Sequence, residues 1–354
     1  MKVTKKTDAR ALTPRLIYEH LNQFVVGQEH AKRTLSIAAY NHNKRCSVPV
    51  SKRLGLRKSN VLLVGPTGCG KTYLVEKLAE KLDLPLVIVD ATEYTEAGYH
   101  GKDVEAMIAD LFYRANHSVE KTEKGIIFID EIDKIAKRGA LGKTSLGSRD
   151  IGGEGVQQSL LKLLEGRELF VPLQPGPVVG KQEGVKIDTT HILFIVAGAF
   201  DGLFEHQQRA SVGFNEQSSP KTSRISPQAL IDYGMIPEFL GRIAVIAQLD
   251  PLTESEMYEI LCSIPNSLVD EYQRLLSMDG VELCFEQEAL LHIAQCASNK
   301  KRGARELRTL MEAACHDVLF EAPERSGQQV LLTLGQIQKT LGQSLNMAET
   351  IIKD

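Results

Sequence analysis

Five short runs of apolar, mostly β-branched residues punctuate the first two thirds of the chain, at 61–64, 86–89, 126–129, 192–196 and 244–249. None alternates with polar residues as a half-exposed sheet would, so each is expected to lie buried on both faces. Helical periodicity fills stretches between them, for example 72–82 and 104–114. Strand–helix alternation of this kind predicts an α/β fold, a parallel sheet flanked by helices. Near residue 250 the pattern changes. Pro251-Leu252-Thr253-Glu254-Ser255-Glu256 reads as a helix start, with Thr253 as N-cap and Glu256 completing a capping box. The chain beyond it is mostly helical in pattern, with short strands expected near 281–285 and 330–333. The expected organisation is a large α/β domain over 1–250 and a smaller, mostly helical C-terminal domain over 251–354. Three polar or glycine-rich stretches, 47–59, 138–155 and 201–226, read as loops.

The run at 61–64 leads directly into Gly65-Pro66-Thr67-Gly68-Cys69-Gly70-Lys71-Thr72, which matches the P-loop spacing G-x-x-x-x-G-K-[ST]. Glycines let backbone N–H groups turn inward around phosphates, and the helix that starts near Lys71 points its positive end at them. Lys71 then reaches the β- and γ-phosphates of ATP, and the Thr72 hydroxyl ligates Mg2+. Cys69 occupies a free position of the motif. A second apolar run ends in two carboxylates, Gly125-Ile126-Ile127-Phe128-Ile129-Asp130-Glu131. Carboxylates leaving the C-terminal end of a central strand stand where open α/β sheets bind ligands. This is the Walker B pattern: Asp130 is expected to hold Mg2+ and Glu131 to activate the attacking water. Asp133 reads as structural.

Composition narrows the function. The chain has 354 residues, Lys+Arg 42 against Asp+Glu 45, a formal net charge of -3. A dedicated duplex-binding protein usually carries a basic excess, so nucleic acid is not an expected partner. No apolar run approaches the roughly 18 residues that span a bilayer, and MKVTKKTDAR has no apolar signal segment. No membrane partner and a cytoplasmic location are therefore expected. The six cysteines show no C-x-x-C spacing, which argues against a structural zinc site.

Further motifs decide what the nucleotide site serves. In order come Phe24-Val25-Val26-Gly27-Gln28, Ala39-Tyr40-Asn41-His42-Asn43-Lys44-Arg45, Gly98-Tyr99-His100-Gly101, Gly153-Glu154-Gly155-Val156-Gln157-Gln158, Ile236-Pro237-Glu238-Phe239-Leu240-Gly241-Arg242 and Gly303-Ala304-Arg305-Glu306-Leu307-Arg308. Together with the P-loop and Walker B pattern, this series resembles the ClpX family of AAA+ unfoldases over nearly the whole chain. HslU is the next most similar family, but it carries a large insertion after Walker B where only the 138–155 stretch lies here.

The resemblance implies an AAA+ P-loop NTPase with a smaller lid domain. It also implies an ATP-dependent unfoldase that threads protein substrates through the pore of a homo-hexamer, with ATP and Mg2+ as cofactors. Val25, Val26 and Tyr40 match positions that line the adenine. Arg242 matches the arginine finger that meets a neighbouring subunit's ATP, and Arg305 matches the sensor-2 arginine. Tyr99 and His100 fall in the pore loop, with His100 where the family has a small aliphatic residue, and Arg149 falls in the second pore loop. Val212-Gly213-Phe214 matches the tripeptide that docks on a ClpP-type peptidase, with Val in place of Ile.

Two further family features differ. The residues before Thr13 hold none of the cysteines of the family's N-terminal zinc-binding domain, which is expected to be missing either by truncation or because the homologue is a shortened one. The basic Arg-Lys-His loop of the pore entrance corresponds to 174–182, which carries a single charge, Lys181. A stand-alone remodelling chaperone without a peptidase is the alternative function. The sensor-1 position is left unassigned, because Val196-Ala197-Gly198-Ala199 offers no polar side chain.

Overall fold

The computed structural model of the chain describes residues 12–48, 58–95, 102–137, 151–173, 184–203, 225–300 and 302–351. In chain order, helices α1 (Pro14–Phe24) and α2 (Glu29–Ser47) precede strand β1 (Asn60–Val64), helix α3 (Lys71–Leu82) and strand β2 (Leu86–Asp90). Two-residue strands β3 (Tyr94–Thr95) and β4 (Lys102–Asp103) lead to α4 (Ala106–Arg114), α5 (Val119–Glu123) and β5 (Ile126–Asp130). Next come α6 (Ile151–Glu165), the antiparallel pair β6 (Glu168–Pro172) and β7 (Gly184–Asp188), and β8 (Leu193–Gly198). Short helices α7 (Pro227–Tyr233) and α8 (Pro237–Gly241) run into β9 (Ile243–Gln248). The remainder is α9 (Glu254–Cys262), α10 (Leu268–Met278), β10 (Glu282–Phe285), α11 (Gln287–Asn299), α12 (Ala304–Glu321), β11 (Gln329–Leu332) and α13 (Leu334–Ile351).

By their internal contacts these elements form two compact units. The first holds Glu29–Gly65 and Lys71–Leu249 with α1 up to Leu21. Its centre is a parallel sheet in the order β2-β5-β8-β1-β9. Every residue of β1 and β8 is buried, as are the four apolar residues of β5, which is why these strands show no polar alternation. Leu62, Val64, Ile127, Ile129, Phe194 and Val196 pack against Met107, Leu111 and Phe112 of α4 and Val156, Leu160 and Leu163 of α6.

The second unit holds Asn22–Gln28, Pro66–Gly70 and the chain from Asp250 on. Its core joins Met257, Leu261, Tyr272, Leu276, Leu290, Ile293, Leu307, Met311 and Ile337 around the parallel pair β10–β11. The expected capping box is present: the Thr253 side chain accepts from Glu256 N–H, and Glu256 accepts from Thr253 N–H. Ser267 and Asp270 repeat the arrangement on α10. The Gln28 side-chain amide pairs with both backbone groups of Asp250, each at 2.8 Å, and ties the 22–28 segment into this unit.

The 138–155 stretch is shorter as a loop than its glycines suggest, because α6 already begins at Ile151. Gly153 is helical and serves close approach: a Cβ there would stand 2.7 Å from Ile135 O.

One buried group in the first unit makes its stability sensitive to acid. His42, 2% exposed, donates from Nε2 to Lys124 O at 2.8 Å, and its Nδ1 faces Arg45 Nη2 at 3.4 Å. Burial pushes the imidazole from 6.5 down to about 4, and the charges of Arg45, Lys58 and His191 push the same way. A folded-state pKa below the unfolded one means stability that is complete above pH 6.5 and lost as pH falls through about 4. The shift corresponds to about 3 kcal/mol. Unfolding free energies measured from pH 7 to 4 should therefore fall more steeply for the parent than for His42→Gln, whose amide still donates to Lys124 O. Equal pH dependence in the two proteins would contradict this account of His42.

Candidate nucleotide site

In the first unit the site grows from the ends of three strands. Gly65 N–H donates to Gly198 O at 3.2 Å, and Leu249 N–H donates to Val64 O at 2.8 Å, so the chain leaves β1 fixed to its neighbours on both sides. Lys71 opens α3 and is 8% exposed; its Nζ donates to Gly65 O at 2.6 Å. The ammonium is thus folded back toward the strand end from which the loop departs. Thr72 is next in the chain, and its hydroxyl donates to Asp130 Oδ2 at 3.1 Å. The other oxygen, Asp130 Oδ1, accepts from Glu131 N–H at 2.9 Å. Glu131 itself adopts φ 55, ψ 31, a left-handed conformation, and its side chain is exposed. A non-glycine residue in that region is uncommon, and such turns cluster at functional sites.

Asp90 lies in register with Asp130 at the end of β2, but its carboxylate is engaged locally, accepting from Thr92 N–H at 2.8 Å and Thr92 Oγ1 at 2.6 Å. Asp133, read from sequence as structural, is 5% exposed beside the end of β8. Its Oδ1 accepts from Ala199 N–H at 3.2 Å, while Oδ2 is buried with no hydrogen-bond partner among the described residues, Lys134 Nζ being 3.8 Å away. A Cβ at Gly198 would stand 2.7 Å from Asp133 Oδ1, so the glycine makes room for that carboxylate. Where sequence offered no polar side chain at the end of β8, the structure brings one from the turn after β5. The signal was available only as the pairing of Gly198 with an acid three residues past Asp130.

The donor set suits a divalent cation of the magnesium type. One hydroxyl and one carboxylate, both hard oxygen ligands, converge at 3.1 Å, and Mg2+ commonly takes one or two such protein ligands beside phosphate and water. Gly70, at φ +97, has nothing among the described residues within 4 Å of a Cβ position.

Arg242 caps the C-terminus of α8. Its Nε and Nη2 both donate to Glu165 Oε1, at 2.9 and 2.6 Å, and its backbone carbonyl accepts from Asn60 Nδ2 at 3.0 Å. Tyr40 is half-buried on α2, with Lys44 Nζ 6.0 Å from its ring centroid.

In the second unit Val25 and Val26 are buried at 6% and 8% exposure, and Cys69 at 3%. Gly68 O accepts from Ala304 N–H at 2.9 Å. Gly68 (φ +78) and Gly303 (φ +64) approach so closely that a Cβ on either would collide with the other's segment, at 2.1 Å from Arg302 O and 2.5 Å from Gly68 O. Arg305 is exposed in the first turn of α12. Tyr99, His100, Arg149 and Val212-Gly213-Phe214 lie outside the described residues, as does the 174–182 loop.

Similarity to characterised proteins agrees with this geometry. Residues 56–246 match the family model described as "AAA domain (Cdc48 subfamily)", and residues 252–329 match "C-terminal, D2-small domain, of ClpB protein". An ATP-dependent Clp protease ATP-binding subunit, ClpX 2 of Wolinella succinogenes, is 46% identical over 336 residues, covering 94% of this chain and 84% of the relative. The ClpX subunit of Treponema denticola is 43% identical over 333 residues (90% and 80%), and that of Borrelia duttonii 44% over 341 residues (93% and 79%). The chain is a nucleotide-binding AAA+ ATPase and belongs to the ClpX family of Clp-type chaperones.

Proposed function

We propose that the protein is an ATP-driven unfoldase that works as a homo-hexameric ring, draws substrate proteins through a central pore and passes them to a ClpP-type peptidase. The observation that carries this proposal is the Lys71, Thr72, Asp130 and Glu131 cluster, complete in a chain that also holds Gly98-Tyr99-His100-Gly101.

Lys71, Gly65, Pro66, Thr67, Gly68, Cys69 and Gly70 bind the ATP phosphates, and Val25, Val26 and Tyr40 flank the adenine. Thr72 and Asp130 hold Mg2+, which when bound neutralises charge that develops on the transferring phosphoryl group. Glu131 is the general base: its exposed carboxylate takes a proton from the attacking water. The left-handed turn at Glu131, whose N–H stays on Asp130, supports this reading. Arg242 acts on the ATP of the neighbouring subunit, since its charge is permanent and its planar fork suits a phosphate. Within its own subunit the same fork rests on Glu165. Arg305 reports the nucleotide from a lid domain spanning 251–354, against a nucleotide-binding domain spanning 1–250. Tyr99, flanked by glycines, supplies an aromatic paddle that grips backbone of any sequence, with His100 beside it and Arg149 in the second pore loop. Val212-Gly213-Phe214 docks on the peptidase.

Glu131→Gln should bind ATP and lose turnover by about 10²–10⁴-fold, because an amide cannot accept the proton. Arg242→Ala should bind ATP and lose roughly 10³-fold or more in turnover. Mixing the two inactive proteins should restore part of the activity, because some interfaces then pair an intact base with an intact finger. Absence of any recovery in preparations that assemble would remove the trans role of Arg242.

Tyr99→Ala should keep its basal ATPase and stop unfolding a tagged fluorescent reporter. Added ClpP-type peptidase should degrade that reporter only with the parent, and Phe214→Ala should abolish degradation while unfolding continues. Unchanged reporter unfolding by Tyr99→Ala would contradict the paddle. Unfolding by the parent without degradation would favour the peptidase-independent chaperone.

A further inference from the structure

Helix α6 carries a side chain that none of the assigned roles uses. Gln157 is 0% exposed, and its amide is spent entirely on main chain. Nε2 donates to Ile135 O at 2.8 Å and to Gly234 O at 3.4 Å, and Oε1 accepts from Ile236 N–H at 2.9 Å. Ile135 closes the 3-10 turn just past Asp130 and Glu131. Gly234 and Ile236 lead into α8, whose C-cap is Arg242. One glutamine therefore clips the exit of the Walker B strand to the entry of the finger helix.

The junction is built tightly around that clip. Lys137 N–H donates to Gly234 O at 2.9 Å. Gly234 has φ +120, and a Cβ there would stand 2.5 Å from Lys137 O. Gly153, one turn before Gln157 on α6, brings the helix against Ile135 O. At the other end of α6, Glu165 holds the Arg242 guanidinium itself. The same helix thus fixes the finger segment at its start through Gln157 and at its tip through Glu165. An apolar side chain at 157 would take the amide partner from the buried Ile135 O and Ile236 N–H and leave Gly234 O with Lys137 N–H alone, and the two segments could satisfy the orphaned groups only by shifting.

We propose that Gln157 is a positioning residue for ATP hydrolysis: it sets the Arg242 segment from the turn behind the Walker B carboxylates, so that the finger offered to the next subunit is placed by the subunit's own nucleotide site. The inference rests on the proposed trans action of Arg242. A misplacement of 1 Å at a reacting group can cost about 10²-fold in rate.

The test uses two variants in the full chain. Gln157→Met keeps length and removes the amide; Gln157→Glu keeps the acceptor and removes both donors. Each should bind ATP per subunit and assemble as the parent does, with KM for ATP little changed and kcat lower by roughly 10²-fold. Mixed with Glu131→Gln, whose finger is intact, each should regain activity. Mixed with Arg242→Ala, which offers no finger, neither should. Parent-like kcat would overturn the proposal, as would recovery with Arg242→Ala or no recovery with either partner. Failure of both variants to fold would make Gln157 a residue of the fold alone and overturn it equally. Parent-like turnover by Arg242→Ala itself would sink the trans finger, an outcome distinct from a Gln157 defect of the wrong class.

Discussion

The carboxylate of Asp130 is the point on which the nucleotide site depends. It stands at the end of a strand whose preceding four residues are buried, so its position is set by the sheet and not by a loop. One oxygen takes the Thr72 hydroxyl from the first turn of α3, and the other takes the N–H of Glu131. A single side chain thereby registers helix α3 against β5 and fixes the turn that carries Glu131, the proposed general base. The remaining constraints support that registration. Gly65 is bonded to the end of β8, Lys71 is folded onto Gly65, and Gly198 makes room for Asp133.

Much of this was legible because it is local. The five apolar runs are strands β1, β2, β5, β8 and β9, and the spacing of glycines, Lys71 and Thr72 belongs to one continuous loop and helix start. The Thr253–Glu256 box closes within three residues and needed no tertiary information. The same holds for the carboxylates at 130 and 131, which come directly after the buried strand residues.

The features that stayed hidden depend on distant partners. The β6–β7 pair escaped notice because Phe170 is exposed and Pro172 ends the strand, which blurs the alternation of a hairpin; Phe170 lies across Gly184, a contact visible only once the register is known. Glycines at 152, 153 and 155 suggested loop where α6 had begun, since the close approach of Gly153 to Ile135 is a tertiary demand. Gln157 stands out in the sequence only as part of the Gly153 to Gln158 motif, and its three partners lie 22, 77 and 79 positions away. The Glu165–Arg242 pair spans 77 positions and has no sequence signature. Asp133 reads as structural, but its partner, the Ala199 N–H past the end of β8, lies 66 positions on and could not be read from sequence.

The registration at Asp130 is tested most directly by a double-mutant cycle on Thr72→Val and Asp130→Asn, read as ATP turnover across a range of Mg2+ concentrations. Two groups that serve one ion and bond each other are not independent. The double variant should turn over ATP no more slowly than the worse single variant, and both single variants should need more Mg2+ than the parent for half-maximal rate. Losses that multiply in the double variant, with the parent's Mg2+ dependence kept by each single variant, would contradict the shared role of the pair.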